Sequence, residues 1–387
     1  MSLQEHKVNP MAGLALLSVA CLTIMVGCVL VPGLPEIAAQ LGVSKHASSL
    51  VTVPALGVIV FGPLVGNLIG RIGLYCTLCT GLFLYGVLGV AGAWLHGNLL
   101  VFADRFLLGG STAMVMTTGT GLISSLYEGK ARLSMMAKQG MSIELGGVIF
   151  LFVSGQLATV CWRWPFALYF LSWVLLAIVV CCAPTLADTV SAQDHQPDQK
   201  VPATLQIVYV AAFFTMVSFF TGVIMLPVRL HEIGVNAAQI GYFLSFVSLV
   251  AVGAAGAMPR LASRFGESNV LVAGFLCYAI SHGCFALAES VIGFAVGGIL
   301  LGSGFGFTVP LVNHMTVEKS HPRVRGRNLS YLSMAIFSGQ FASSFMEYVP
   351  GNTQRIFTAA SIVALLVMIS LTIAHRFQRA FAIEKRR

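Results

Sequence analysis

Apolar runs recur along the whole of this 387-residue chain, each close to the roughly 20 residues that an α-helix needs to cross a hydrocarbon core about 30 Å thick. A backbone inside hydrocarbon must satisfy its own hydrogen bonds, so only helices and closed barrels span it. Barrel strands are shorter and alternate in polarity, which these runs do not. Charged residues make up 9% of the chain, against roughly 25% in soluble domains, too few to cover a water-facing surface. The sequence therefore reads as an all-α integral membrane protein.

Twelve spans are expected, near 11–34, 47–69, 74–94, 99–125, 135–159, 164–183, 203–226, 236–257, 268–288, 290–314, 328–349 and 354–375. The connections are short except for the polar stretch Pro184 to Pro202, which carries Asp188, Asp194, His195, Asp198 and Lys200 and predicts a linker. That divides the chain into a six-helix bundle (1–183), a cytoplasmic linker (184–202) and a second six-helix bundle with a short basic tail (203–387). An even number of spans puts both termini on one side. Of the 22 Lys and Arg, all but Arg105, Lys45, Arg163, Arg229 and Arg355 fall on that side, so the positive-inside bias predicts cytoplasmic termini. The same spread accounts for the net charge of +8 through lipid headgroups, for instance at Arg323, Arg325 and Arg327, and gives no patch for nucleic acid. Ser2 to Pro10 is polar and leads into a full-length span without a small-residue cleavage pattern, so no removable leader is expected. The cysteines, such as Cys21, Cys79, Cys181, Cys182 and Cys277, lie mainly in apolar segments without ligand spacing and predict neither disulfides nor a metal site; no cofactor is expected.

Within the fourth span stands Arg105, a permanent charge in an apolar run. Such a group costs roughly 2.5–3.5 kcal/mol on insertion scales, so it usually faces a protein interior or a water-filled cavity and marks a transport path. Asp104 precedes it, but successive side chains on a helix diverge by about 100°, so Asp104 is not automatically its counterion.

The two halves echo one another. Arg71-Ile72-Gly73 matches Arg264-Phe265-Gly266, and Leu107-Leu108-Gly109 matches Leu300-Leu301-Gly302, both displaced by 193 residues. Pro32 with Glu36-Ile37 is echoed by Pro227 with Glu232-Ile233 at offsets of 195 and 196. Parallel repeats of this kind predict two pseudo-symmetric bundles that rock about a shared site. Arg105 aligns with Gly298, so its charge belongs to one half alone and is not required by the fold.

These residues resemble the major facilitator superfamily, and within it the twelve-span drug and metabolite:proton antiporter branch, over essentially the whole chain. Trp162-Arg163-Trp164-Pro165-Phe166 is similar to that branch's Trp-Arg-Trp signature, which also suits an interfacial anchor. Asp104-Arg105-Phe106-Leu107-Leu108-Gly109 resembles its Arg-x-x-x-Gly motif, which implies an arginine in the inner wall that takes part in proton or substrate coupling; the plainer reading is an arginine held by backbone carbonyls. Gly66-Asn67-Leu68-Ile69-Gly70-Arg71-Ile72-Gly73 resembles the cytoplasmic Gly-x-Leu-x-Asp-Arg-x-Gly motif, and implies a conformational gate at Gly66, Gly70, Arg71, Gly73 and Arg264. It departs where Gly70 replaces Asp and where Leu74 and Tyr75 replace a basic pair, and Ser263 does not restore the carboxylate, so the charge latch should be weakened or made by other groups. The fifth span keeps Gly140, Gly146-Gly147 and Ser154-Gly155 but has Phe150-Leu151 where the antiporter motif has Gly-Pro; the small residues fit close helix packing. Pro32-Gly33-Leu34-Pro35 resembles the Pro-x-x-Pro ending of span one in exporters.

Proton coupling needs a titratable group, and Glu144 is the one acidic residue well inside an expected span; Asp104 lies a turn or two inside, and Glu36 and Glu347 near span ends. Glu144 shares a helix face with Gly140, Gly147, Leu151 and Ser154, and its alternative role is as a partner for Lys138. His314 and His282 are further candidates, with packing or interfacial roles as their alternatives. Met114 and Thr117 with Phe219, Phe220, Thr221, Phe305, Phe307 and Asn313 have the composition of an adaptable substrate cavity, though individual phenylalanines in such spans also face lipid. No nucleotide loop, metal cluster or nucleophile pattern is present in the sequence, so an enzyme is not expected. The expectation is a monomeric secondary transporter of the bacterial inner membrane that exports a small organic molecule by proton antiport and alternating access, with protons, lipids and the substrate as partners. An exporter of an anionic or zwitterionic metabolite such as a siderophore, a proton-coupled importer and a non-transporting sensor are the alternatives.

Overall fold

The computed structural model describes residues 10–127, 129–182, 202–321 and 325–384. Among them the chain is helical apart from short connections, and it divides into two compact units, Met1–Asp194 and His195–Arg387. The expected linker, but for Pro202, lies outside the described residues.

Six α-helices build the first unit: α1 (Pro10–Cys28), α2 (Leu34–Gln40), α3 (Ser49–Ala91), α4 (Asn98–Leu126), α5 (Gly129–Val160) and α6 (Leu171–Cys182). With 43 residues α3 would extend about 65 Å if straight, twice what a bilayer needs. It is two spans joined at Gly73, whose φ of 80° and ψ of 168° belong to a region open essentially to glycine alone. The first span differs from expectation. It stops at Cys28, and Pro32-Gly33-Leu34-Pro35 does not end it but starts α2, with Pro35 in that helix's first turn, where proline is favoured.

The second unit comprises α7 (Ala203–Glu232), α8 (Ala237–Phe265), α9 (Glu267–Leu287), α10 (Val291–Glu318), α11 (Arg325–Ala342) and α12 (Thr353–Glu384). Gly266, at φ 87° and ψ 146°, separates α8 from α9 as Gly73 divides α3, so the Arg-x-Gly echo marks one sharp backbone turn made twice. Ten described helices are long and apolar enough to cross a membrane. Ser49–Ala91 does so twice, and the more polar α11 completes twelve crossings.

Helix pairings repeat between the units. In the first, α4 packs along α3, and α1 packs on α4, α5 and α6; in the second, α10 packs along α8 and α9, and α7 packs on α10, α11 and α12. A 3-10 turn precedes the last helix in both, Trp164–Phe170 before α6 and Ser343–Tyr348 before α12. The Leu-Leu-Gly echo has a packing cause. A Cβ at Gly109 would collide with the carbonyl of Pro54, and one at Gly302 with the carbonyl of Val247, and these two carbonyls are themselves 193 residues apart. Backbones can approach this closely only where a side chain is missing. One echo fails: Pro227 lies inside a continuous α7, whereas Pro32 stands in the break between α1 and α2.

Candidate functional site

Arg105 lies in the third turn of α4 and is 1% exposed, one of the largest fully buried side chains. A guanidinium cannot lose its charge there, so it must be matched by neighbours. Asp104 supplies the match. Its Oδ2 accepts from Arg105 Nε at 3.2 Å and from Nη2 at 2.9 Å. The 100° between adjacent side chains separates their Cβ atoms, but the long arginine stem curls back to the carboxylate, so the question that helix geometry leaves open is answered with Asp104 as the counterion. Arg105 Nη1 donates to Tyr169 Oη at 3.4 Å, and the guanidinium carbon stands 5.5 Å from the Phe166 ring centroid and 5.7 Å from that of Tyr169. Gly92, at the end of α3, makes the room: a Cβ there would collide with Arg105 Nη2. Tyr169 packs on Tyr85, ring centroids 5.5 Å apart, and Tyr85 Oη donates to the carbonyl of Leu22 at 2.7 Å. One charge thus ties together α1, α3, α4 and the turn before α6.

Phe166 and Tyr169 were not singled out by the sequence reasoning. Their signal was the Trp-Arg-Trp-Pro-Phe run, read as an anchor. It is divided in space: Trp164 is half-exposed and Arg163 stacks on Trp162 at 4.8 Å, while Phe166 is buried beside Arg105.

Glu144 sits on α5, part-buried, and no hydrogen bond or ion pair reaches its carboxylate from the described residues. Lys138 is exposed and makes no bridge to it. Around it α5 is pressed against α1: Cys21 Sγ donates to the carbonyl of Ser142 at 3.0 Å, and a Cβ on Gly146 would stand 2.9 Å from that of Cys21. Along the stripe expected from the sequence, Gly147, Leu151 and Ser154 are buried and Gly140 is exposed, which leaves Glu144 at the boundary between the packed and open parts of one face.

The residues expected to line a substrate cavity fall in both units, one set within each. Phe219 and Phe220 on α7 are buried, and Phe219 meets Phe305 of α10 with ring centroids 4.0 Å apart. Thr221 is buried and donates to the carbonyl of Val217 in its own helix. Phe307 turns its Cβ towards Gly274 of α9, and Asn313 is exposed and bonds back to Val309. In the first unit Met114 packs against Gly81 of α3, while Thr117 is exposed.

At the gate motif, Gly70 and Arg71 are exposed, Gly66 has open space around it, and no ion pair involves Arg71 among the described residues. Arg264 stacks on Phe265 at 5.3 Å. The corresponding end of the second unit carries its own charge cluster, in which Glu267 meets His314 Nε2 at 3.3 Å and Lys319 Nζ at 3.7 Å. Leu74 occupies that register in the first unit, so the cluster has no counterpart there. His282 is fully buried, with Nε2 3.0 Å from the carbonyl of Ser218 and its ring stacked on Phe357. Among the described residues no three His, Cys, Asp or Glu side chains gather as a metal site.

The sequence model of the Major Facilitator Superfamily matches residues 15–344. The chain belongs to this superfamily. It is accordingly a multi-pass membrane transporter and not an enzyme. Among curated relatives it is 21% identical to "Multidrug resistance protein 1" of Bacillus subtilis (strain 168), over 45% of this chain and 46% of that protein. It is 26% identical to "Quinolone resistance protein NorA" of Staphylococcus aureus (strain MRSA252), over 49% and 50% respectively. The chain thus spans about half the length of these two relatives. In fold it is similar to a crystal structure of a peptide transporter (POT) in complex with sulfate, with a TM-score of 0.77 at 14% identity over 97% of this chain and 96% of that one. It also resembles a D-xylose-proton symporter, with a TM-score of 0.73 at 17% identity over 93% and 96%. The chain thus pairs its buried arginine with the carboxylate next to it in sequence, and a second carboxylate, Glu144 on a neighbouring helix, has no partner among the described residues.

Proposed function

We propose that this transporter carries a small organic molecule out of the cytoplasm in exchange for protons, by alternating access, with Glu144 taking up and releasing the proton. The observation that carries the reading is that Glu144 has no partner among the described residues, since a carboxylate with neither a salt bridge nor a hydrogen-bond donor has nothing holding it ionised when its surroundings dry. Arg105 is the opposite case. Its charge is fully matched inside the first unit, which supports a role in holding α3, α4 and the Trp164–Phe170 turn in register so that α4 moves as one body. The resistance named for the two bacterial relatives supports export and a drug-like or secreted substrate. Residence in the cytoplasmic membrane with both termini inside follows from the bias of Lys and Arg.

The test is proton movement in proteoliposomes with a trapped pH dye, driven by a panel of lipophilic cations, neutral drugs and polycarboxylate metabolites. A substrate-dependent flux in wild type that Glu144→Gln abolishes, with folding intact, is the expected result. A Glu144→Gln protein that still exchanges protons for substrate removes Glu144 from the mechanism. Flux only in the same direction as the substrate converts the assignment to uptake.

A further inference from the structure

A hollow in the second unit lies outside the site described above, although Gly283 in its lining directly follows the buried His282. It is a groove of about 640 Å³ along one face of α9, where Leu276, Ile280, Gly283 and Leu287 form the floor and Ser361 and Leu365 of α12 one wall. From Leu276 to Leu287 the floor runs about 16 Å, close to half of a hydrocarbon core about 30 Å thick. Gly283 keeps the groove open: a Cβ there would have only Ser361 Oγ nearby, at 3.8 Å, so anything larger enters free space.

At the mouth, on the connection between α9 and α10, stands Glu289, exposed and without an ion pair or hydrogen bond from the described residues. Around it Leu287, Val291 and Ile292 are 83%, 84% and 76% exposed. Three large apolar side chains this open to their surroundings belong at the boundary of the acyl region, not in water. The walls of the groove are therefore apolar, its length is that of one leaflet, and a single uncompensated carboxylate sits at headgroup level.

We propose that this groove is a binding site for a membrane phospholipid whose headgroup ends in a primary ammonium: an acyl chain lies along α9 and the ammonium donates to Glu289. A primary ammonium has three N–H donors, whereas a trimethylated one has none and an anionic headgroup is repelled. The choice among lipids rests on one exposed charge pair, whose usual strength corresponds to a preference of up to about fivefold. The first unit has no matching carboxylate, since the register of Glu289 falls at His96, so the site belongs to the second half alone.

Native mass spectrometry of the full-length protein, titrated with phosphatidylethanolamine, phosphatidylcholine and phosphatidylglycerol of identical chains, tests this. Wild type should take the ethanolamine lipid about fivefold more tightly than the choline lipid. Glu289→Gln should erase that preference without altering thermal stability, Glu289→Lys should shift it to the glycerol lipid, and Gly283→Phe should weaken every lipid by filling the groove. Equal binding of the three lipids by wild type, or a preference that survives Glu289→Gln, overturns the proposal. So does a wild-type dimer that Gly283→Phe dissociates, which would make the groove a surface for a second copy.

Discussion

Separating Asp104 from Arg105 should expose an asymmetry that follows from chemistry alone. In Asp104→Leu the guanidinium stays 1% exposed and loses its contacts at 2.9 and 3.2 Å, keeping one long bond of 3.4 Å to Tyr169 and the faces of two rings. Breaking a buried pair from one side costs about 3–5 kcal/mol. The aromatic contacts remain in both proteins, and arginine cannot shed its proton, so nothing offsets the loss. Arg105→Met leaves a carboxylate in the same place, but a carboxylic acid can bind a proton and become neutral, so its cost should be smaller, about 1–3 kcal/mol including the lost contact with Phe166. The double variant Asp104→Leu/Arg105→Met removes both charges and should lie within about 1 kcal/mol of wild type, because an apolar pair of similar volume can replace a buried ion pair. The expected order of loss is therefore Asp104→Leu, then Arg105→Met, then the double variant, with a large coupling energy between the sites. Thermal inactivation half-lives of the purified protein in one detergent give the order. If the double variant is as unstable as the sum of the single ones, the two charges do not compensate each other and the packing account of Arg105 fails.

Other substitutions probe the backbone features. Gly109→Ala and Gly302→Ala should each destabilise by about 1–3 kcal/mol, because the new methyl meets a backbone carbonyl that no rotamer change can move, and inactivation rates will show it. Gly73→Ala and Gly266→Ala, at φ of 80° and 87°, should cost about 1–3 kcal/mol each, although nothing stands within 4 Å of either Cβ; unaltered stability would show that these turns relax. Gly92→Ala should reproduce part of the Asp104→Leu defect by displacing the guanidinium, and should have a smaller effect in the background of Arg105→Met, where only the contact with Phe166 at 2.9 Å remains.

Much of the fold is legible in the chain itself. Apolar length, the polar stretch after Pro184 and the Lys and Arg bias predict twelve helices and two halves, because a bilayer imposes a nearly fixed length on every element that crosses it. The Arg-x-Gly and Leu-Leu-Gly echoes at offset 193 are visible as identities, and each reflects a glycine that the backbone requires, in one case for a sharp turn and in the other for a close helix contact. The end of the first span was misplaced, because hydrophobicity continues through Val29, Leu30 and Val31 while the helix does not. A run of apolar residues reports solubility in lipid and says nothing of the φ and ψ that Pro32 and Gly33 impose.

What the sequence by itself determined is the cost of Arg105: a permanent charge in an apolar span must be met by something. Tertiary structure alone decided by what. Helix geometry left Asp104 open as the counterion, since the 100° between neighbours applies to Cβ directions and arginine has four more rotatable bonds beyond it. Phe166 and Tyr169 are more than 60 residues away, and Gly92 matters only through the side chain it lacks. Whether Glu144 had a partner was equally beyond reach of the sequence, because pairing depends on which faces of α1 and α5 meet, and in hydrocarbon that is settled by side-chain packing at contacts such as Cys21 against Gly146, not by polarity along the chain.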